Sequence, residues 1–124
     1  MTLTLCVMLW PTPGNDDELV AYEDEVLALL GDHGARVVQR VRRVDDLLDS
    51  GGQDGPLEVQ VIELPDEHAL EQFMADPRRV ASAGVRDRVV ARTEMIRVVD
   101  ATMLSEMVVA SPQSSDNPRL TIER

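Results

Sequence analysis

Residues 3–10 (LTLCVMLW) form a short apolar run closed off by Pro11, Pro13 and Gly14. A run of that length between breakers predicts a strand buried on both faces, and therefore central in a sheet. Asn15 then stands as a helix N-cap, with Glu18 three positions on at capping-box spacing. Asp16, Asp17 and Glu18 suit the positive end of a helix dipole. Leu19, Tyr22, Val26, Leu29 and Leu30 recur at helical spacing and predict one apolar stripe, with Gly31 and Gly34 as stop signals. Glu23, Asp24 and Glu25 are expected off that stripe, in solvent.

Residues 35–44 (ARVVQRVRRV) alternate loosely and predict a second strand. Strict alternation puts Arg36, Arg40 and Arg42 on one face and Val37 and Val41 on the other. Residues 45–56 carry acids with Gly51, Gly52 and Gly55, and read as a loop. Residues 57–64 (LEVQVIEL) alternate clearly. Leu57, Val59, Val61 and Glu63 share one face; Glu58, Gln60, Ile62 and Leu64 take the other. After Pro65, Asp66 caps a second helix that turns Leu70, Phe73 and Met74 inward. Asp76 followed by Pro77 starts a further helical piece running to about residue 85. Residues 91–99 (ARTEMIRVV) supply the last strand. Residues 103–110 read as a strand or a short helix, and residues 111–118 as turn.

Strand, helix, strand, strand, helix, strand is the order of a ferredoxin-like α+β domain, with both helices on one face of a four-stranded antiparallel sheet. The domain is expected over residues 1–100, with residues 101–124 packing on it or on a partner subunit. The other sheet face would leave one side of the apolar first strand in water. A homodimer joined through that face is therefore expected.

At 124 residues the chain suits one domain. Aromatic residues are only 2%, namely Trp10, Tyr22 and Phe73, so the core must be aliphatic and the stacking surfaces of single-strand nucleic-acid binding are missing. The net charge of -11 repels phosphate backbones and anionic lipid. It serves solubility or a cationic partner. Every basic side chain is Arg, which excludes a Schiff-base lysine and a lysine-dependent phosphate loop. Cys6 is the one cysteine, so neither an intrachain disulfide nor a cysteine zinc site can form. His33 and His68 stand outside any metal-ligand spacing, and no dinucleotide fingerprint or Ser-His-Asp order occurs. No metal and no cofactor is expected. No apolar stretch approaches a membrane span, so a cytoplasmic location is expected.

The run from Val61 to Arg86 (VIELPDEHALEQFMADPRRVASAGVR) resembles a stand-alone bacterial family of unknown function in the dimeric α+β barrel superfamily. That family's strand ends in Ile-Glu-Phe-Pro, followed by a helix with an aromatic, a Ser-Pro step and a later Arg. The matching positions are Ile62, Glu63, Leu64 and Pro65, then Phe73, Asp76-Pro77 and Arg86. Tyr22 and the His33-Gly34-Ala35 entry to the second strand are also similar, so the likeness covers residues 3–99. Leu64 and Asp76 depart from the family's Phe and Ser. The resemblance implies the fold, and a superfamily that includes antibiotic-biosynthesis monooxygenases, polyketide cyclases, muconolactone isomerases and EthD-like proteins.

In that fold a ligand enters between helices and sheet, or at the dimer seam. Glu63, on an apolar strand face, is the candidate general acid or base; its alternatives are an Arg salt bridge or a cap on the second helix. Arg86 would hold an anionic substrate or pair with Glu63. The Tyr22 hydroxyl would polarise a carbonyl or donate to a backbone carbonyl, and His68 would help orient the substrate. Trp10, Phe73 and Met74 are candidate substrate walls, Trp10 equally an interface anchor. His33 ends the first helix as a capping residue. Arg40 and Arg42 with Glu58 and Gln60 read as cross-strand ladder pairs or a polar lumen. The expected function is a homodimeric, cofactor-independent cyclase, isomerase or monooxygenase acting on a small, partly apolar metabolite. The alternative is a non-catalytic ligand-binding or assembly module, in which side chains fill the cleft and Glu63 is paired to Arg86.

Overall fold

The computed structural model describes residues 2–44 and 54–102. Most of the glycine-rich loop at residues 45–56 lies outside them, as does the expected extension beyond Thr102. Strand β1 (Leu3–Pro11) leads into helix α1 (Asp16–Leu27) and a 3-10 turn (Leu30–His33), then strands β2 (Arg36–Arg42) and β3 (Glu58–Leu64). Helices α2 (Glu67–Met74), α3 (Pro77–Ala81) and α4 (Ala83–Val89) follow, and strand β4 (Val90–Arg97) closes the set. The sheet order is β2-β3-β1-β4, antiparallel throughout. This is the β-α-β-β-α-β arrangement expected from the pattern, with β1 central. The third helical piece is broken at Ser82, whose hydroxyl donates back to the carbonyls of Arg78 and Arg79.

Local signals explain the element ends. Asp66 accepts from the Ala69 N–H at 2.9 Å and caps α2. Asp76 does the same for α3, accepting from the Arg78 N–H at 2.9 Å, with Pro77 at the first helical position. Asn15 sits at the α1 cap position, but its side chain makes no capping bond. Its Nδ2 donates to Thr12 Oγ1 at 2.6 Å and ties the β1–α1 loop instead. Gly34 ends the 3-10 turn at φ +70°, where a Cβ would also meet the Pro65 ring at 3.1 Å.

One sheet face carries the core. Leu3, Leu5, Val7 and Leu9 of β1 and Ile62 and Leu64 of β3 pack with Leu19, Tyr22 and Val26 of α1, Phe73 of α2 and Val89 of α4. The opposite face carries Cys6, Met8 and Trp10, and the strand register sets Cys6 beside Val61 and Ile96, and Met8 beside Val59. Val41 lies next to Val59. Of these, Val41 and Ile96 are exposed and the others half-buried, so a continuous apolar surface crosses all four strands.

Two face assignments change. Strand β2 has a bulge between Val37 and Gln39, so Val38 is an extra residue. Arg36 therefore pairs across from Glu63 on the open face, whereas Arg40 and Arg42 lie opposite Gln60 and Glu58 on the helix-covered face. Strict alternation had put all three arginines together. In β3, Val59, Val61 and Glu63 do share a face, but it is the open one; Glu58 and Gln60 are the buried pair. Leu57, just ahead of the strand, turns into the core, its N–H donating to the Leu9 carbonyl at 2.8 Å.

Candidate functional site

A cavity of about 50 Å³ lies between the helices and the covered face of the sheet. Its apolar wall is Val7 and Leu9 of β1, Val26 of α1, Ile62 of β3 and Leu70 and Phe73 of α2, and the half-exposed Met74 and Met95 also line it. Six polar side chains come from five different elements. Tyr22 and Glu23 sit on α1, Gln60 on β3, Arg79 on α3, Arg86 on α4 and Thr93 on β4. At 10–15 Å³ per water, the space holds roughly three to five waters, so a larger guest must displace Met74 and Met95.

Glu23 is the central group. It is 6% exposed, although the sequence pattern placed it in solvent. The missed signal is its position four residues after Leu19 and three before Val26, which puts it on the buried stripe beside Tyr22. Gln60, 2% exposed, donates from Nε2 to Glu23 Oε1 at 2.9 Å and to Glu58 Oε2 at 2.7 Å. The fully buried Glu58 also accepts from Arg40 Nε at 2.6 Å and Arg42 Nε at 3.1 Å. Arg40 reaches on to Asp24 at 2.7 Å. The two buried carboxylates thus live in different surroundings. Glu58 is neutralised by two guanidinium groups. Glu23 has one amide bond, and its Oε2 accepts no hydrogen bond from a described residue. Burial pushes the Glu23 carboxyl above its ordinary range and nearby Glu58 adds to this, against the Gln60 hydrogen bond and the Arg40 and Arg79 charges.

Tyr22 is 4% exposed, and its hydroxyl makes no hydrogen bond to a described residue. The backbone-carbonyl partner that simple packing would supply is therefore not there. Burial pushes this phenol above its ordinary range, while Arg79 and Arg86 both act to lower it. Arg86 Nη2 donates to Thr93 Oγ1 at 3.3 Å. Arg79 stacks its guanidinium over Phe73 at 5.4 Å and reaches the Met74 carbonyl at 3.4 Å. Arg79 Nε is buried and has no acceptor.

Four of the expected site residues, Tyr22, Arg86, Phe73 and Met74, line this cavity together. Three do not. Glu63 is half-buried on the opposite face and accepts from Arg36 Nε at 3.0 Å; the expected Glu63–Arg86 pair does not form. The reason is the parity of β3, which sends odd positions away from the helices. Trp10 shares that open face, with its Nε1 donating to the Asp54 carbonyl at 3.1 Å and the Arg92 guanidinium 4.2 Å above its ring. His68 is exposed in the first turn of α2. His33 does more than end a helix: its Nε2 is 2.8 Å from Asp76 Oδ2. Among the described residues no cluster of three His, Cys, Asp or Glu could hold a metal, and no helix is long and apolar enough to cross a membrane.

No protein-family model matches the chain, and no curated protein does. Solved structures do match. A protein of unknown function from Rhodopseudomonas palustris superposes with a TM-score of 0.61 at 15% identity, over 78% of this chain and 80% of that one. A dimeric protein of unknown function from Bacteroides fragilis, described as having a ferredoxin-like fold, gives 0.56 at 10% identity, over 80% and 96%. The fold is ferredoxin-like. Within that ferredoxin-like set, SnoaB of Streptomyces nogalater, a cofactor-independent oxygenase, gives 0.56 at 12% identity, over 80% and 94%. The ferredoxin-like frame places α1, α3 and α4 over the sheet so that their polar residues meet at one cavity.

Proposed function

We propose that this chain is a small cytoplasmic enzyme that moves a proton on a partly apolar metabolite held between helices and sheet, and that it works as a homodimer without a cofactor. The observation that carries this reading is a convergence of unsatisfied polar atoms in an apolar cavity. The Tyr22 hydroxyl, Glu23 Oε2 and Arg79 Nε all lack partners among the described residues. Of these, Arg79 Nε is the buried atom, and an idle buried donor beside two further open oxygens in an apolar cavity is the arrangement of a site built for a guest.

Glu23 is the base. Its raised pKa brings the carboxyl nearer the range in which a side chain both takes and returns a proton. The reaction begins when Oε2 removes a proton from a carbon next to a carbonyl. The electron pair moves into the carbonyl and forms an enolate, whose oxygen faces Tyr22 and Arg86. Reprotonation at another carbon gives an isomerase, and attack on an internal carbonyl gives a cyclase; in a monooxygenase the carbanion carbon passes its electrons to dioxygen and forms a hydroperoxide there, whose O–O bond breaks with loss of water to leave a new carbonyl. The last agrees with the description of the Streptomyces nogalater protein. The open apolar face supports the homodimer, because a sheet face with Val41, Val59, Val61, Met8 and Ile96 is stable in water only when covered. The dimeric Bacteroides fragilis neighbour points the same way.

Hydrogen–deuterium exchange in a panel of small aryl ketones, followed by NMR in D2O with an oxygen electrode in parallel, tests the reading. Exchange that disappears in Glu23→Gln is expected. Exchange at the same rate in Glu23→Gln removes Glu23 from the mechanism, and no catalysed exchange in any ketone favours the non-catalytic binding module.

A further inference from the structure

The chain is strongly acidic, with 23 carboxylate residues against 12 arginines. In such a chain arginines are expected to find partners, and at least six of the ten described ones pair with a carboxylate, namely Arg36, Arg40, Arg42, Arg78, Arg92 and Arg97. Arg79 and Arg86 do not form an ion pair with any described residue, yet both line the cavity. Among the described residues they bond only to neutral oxygens, and weakly: the Met74 carbonyl at 3.4 Å and Thr93 Oγ1 at 3.3 Å. Both line the same cavity as Tyr22. Arg79 Nε is buried with its donor unused. A buried donor on a charged group is costly when idle and strong when an anion meets it.

We infer that the cavity selects a substrate carrying a carboxylate, seated on Arg79 and Arg86 with Arg79 Nε as one donor. This rests on the cavity assigned above and narrows its substrate class to small organic acids. Phe73 stacks under the Arg79 guanidinium and limits its motion, so the planar fork is pre-organised. Glu23 is the one carboxylate among the lining residues and stands against two guanidinium groups, so the lining stays net cationic with Glu23 ionised as the base. Asp87 acts on Tyr22 from outside the lining set. The interior balance is therefore cationic inside a protein whose net charge is -11. Organic acids are repelled by the surface and held only here, which gives the site selectivity at a low on-rate.

The test titrates the full-length protein with butyrate and with its neutral isostere butyramide, at constant ionic strength. Nε–H resonances of the arginines are read by NMR. Butyrate is expected to bind at least tenfold more tightly than butyramide and to move the Arg79 Nε–H signal. Arg79→Gln is expected to lower butyrate affinity tenfold and Glu63→Gln to leave it unchanged. Equal affinity for the two probes, or an Arg79 Nε–H signal that stays still at butyrate saturation, overturns the inference. The wild-type comparison decides even if Arg79→Gln fails to fold. Failure here, with ketone exchange still lost in Glu23→Gln, sinks the acid selectivity alone. Butyrate binding without exchange in any ketone sinks the reaction alone.

Discussion

The two faces of the one sheet are built on opposite plans. On β3 the covered face offers Glu58 and Gln60 to the interior, while the open face offers Val59 and Val61 to the outside. Ion pairs follow the same inversion. On the covered side Arg40, Arg42, Glu58, Gln60 and Glu23 form a buried chain of hydrogen bonds. On the open side Arg36–Glu63 and Arg92–Glu94 flank an apolar patch. On the proposed reading, the inward polar wall would serve a ligand and the outward apolar wall a partner subunit. A domain that did both would have to look partly inside-out in sequence.

Changes at Glu58 break the covered face most severely. Glu58→Ala leaves the buried Gln60 and the half-buried Arg40 without their shared acceptor, and because Arg40 keeps Asp24 the loss is expected to reach at most the roughly 3–5 kcal/mol of breaking a fully buried charged set. Urea unfolding is expected to show that loss, whereas Glu63→Ala on the open face should cost under about 1 kcal/mol. Equal losses would erase the contrast between the faces.

Next in size is Glu23→Gln. Removal of a general base is expected to slow ketone exchange by about 10²-fold or more, roughly 2.7 kcal/mol of barrier. Its effect on stability has the opposite sign. A carboxyl with a raised folded-state pKa binds its proton more tightly when folded, so stability falls as pH rises from the ordinary carboxyl range through the folded value. Thermal melts of Glu23→Gln at neutral pH should therefore match or exceed wild type. A mutant that melts lower at neutral pH but not at pH 4 would contradict that sign.

On the open face, Val61→Asp puts a charge beside Cys6 in the middle of the apolar patch. It should weaken the dimer at least tenfold, about 1.4 kcal/mol, as seen by analytical ultracentrifugation. A wild-type monomer at micromolar concentration would remove the partner from the comparison altogether.

The smallest expected effect lies outside both faces. The Arg78 side chain and then His33 hydrogen-bond to Asp76 and hold its carboxyl well below the usual range. A lowered pKa contributes stability that is present above the ordinary carboxyl pKa and is lost as pH falls through the folded value. Asp76→Asn should flatten the acid limb of the melting curve below about pH 4 and change little at pH 7 beyond the weakened α3 cap. An unchanged acid limb would mean that the contact is not populated in solution.

Element order and strand positions were legible in the sequence because breakers fall between short periodic runs, as at Pro11 to Gly14 and Pro65-Asp66. The cavity was half legible. Tyr22, Phe73 and Met74 could be placed on inward stripes by spacing, whereas Arg86 was singled out by the family resemblance alone. Glu63 was misplaced because alternation separates two faces without saying which one the helices cover, and the more apolar face of β3 is the outer one. Glu23 was missed because a carboxylate in a run of acids looks solvated, although its helical phase matches Tyr22 and Val26. Arg79 gave no local signal, since its role depends on α3 lying over the cavity.

The bulge at Val38 makes β2 a splice between two rhythms. Arg36, ahead of it, keeps time with the outer rim, and Arg40 and Arg42, behind it, keep time with the inner network. Deleting that single residue would restore a regular beat and ruin one half of the strand. Either Glu63 or Glu58 would lose its arginine. A seven-residue edge strand of this kind is intolerant of any change in length, even though most of its side chains are exposed.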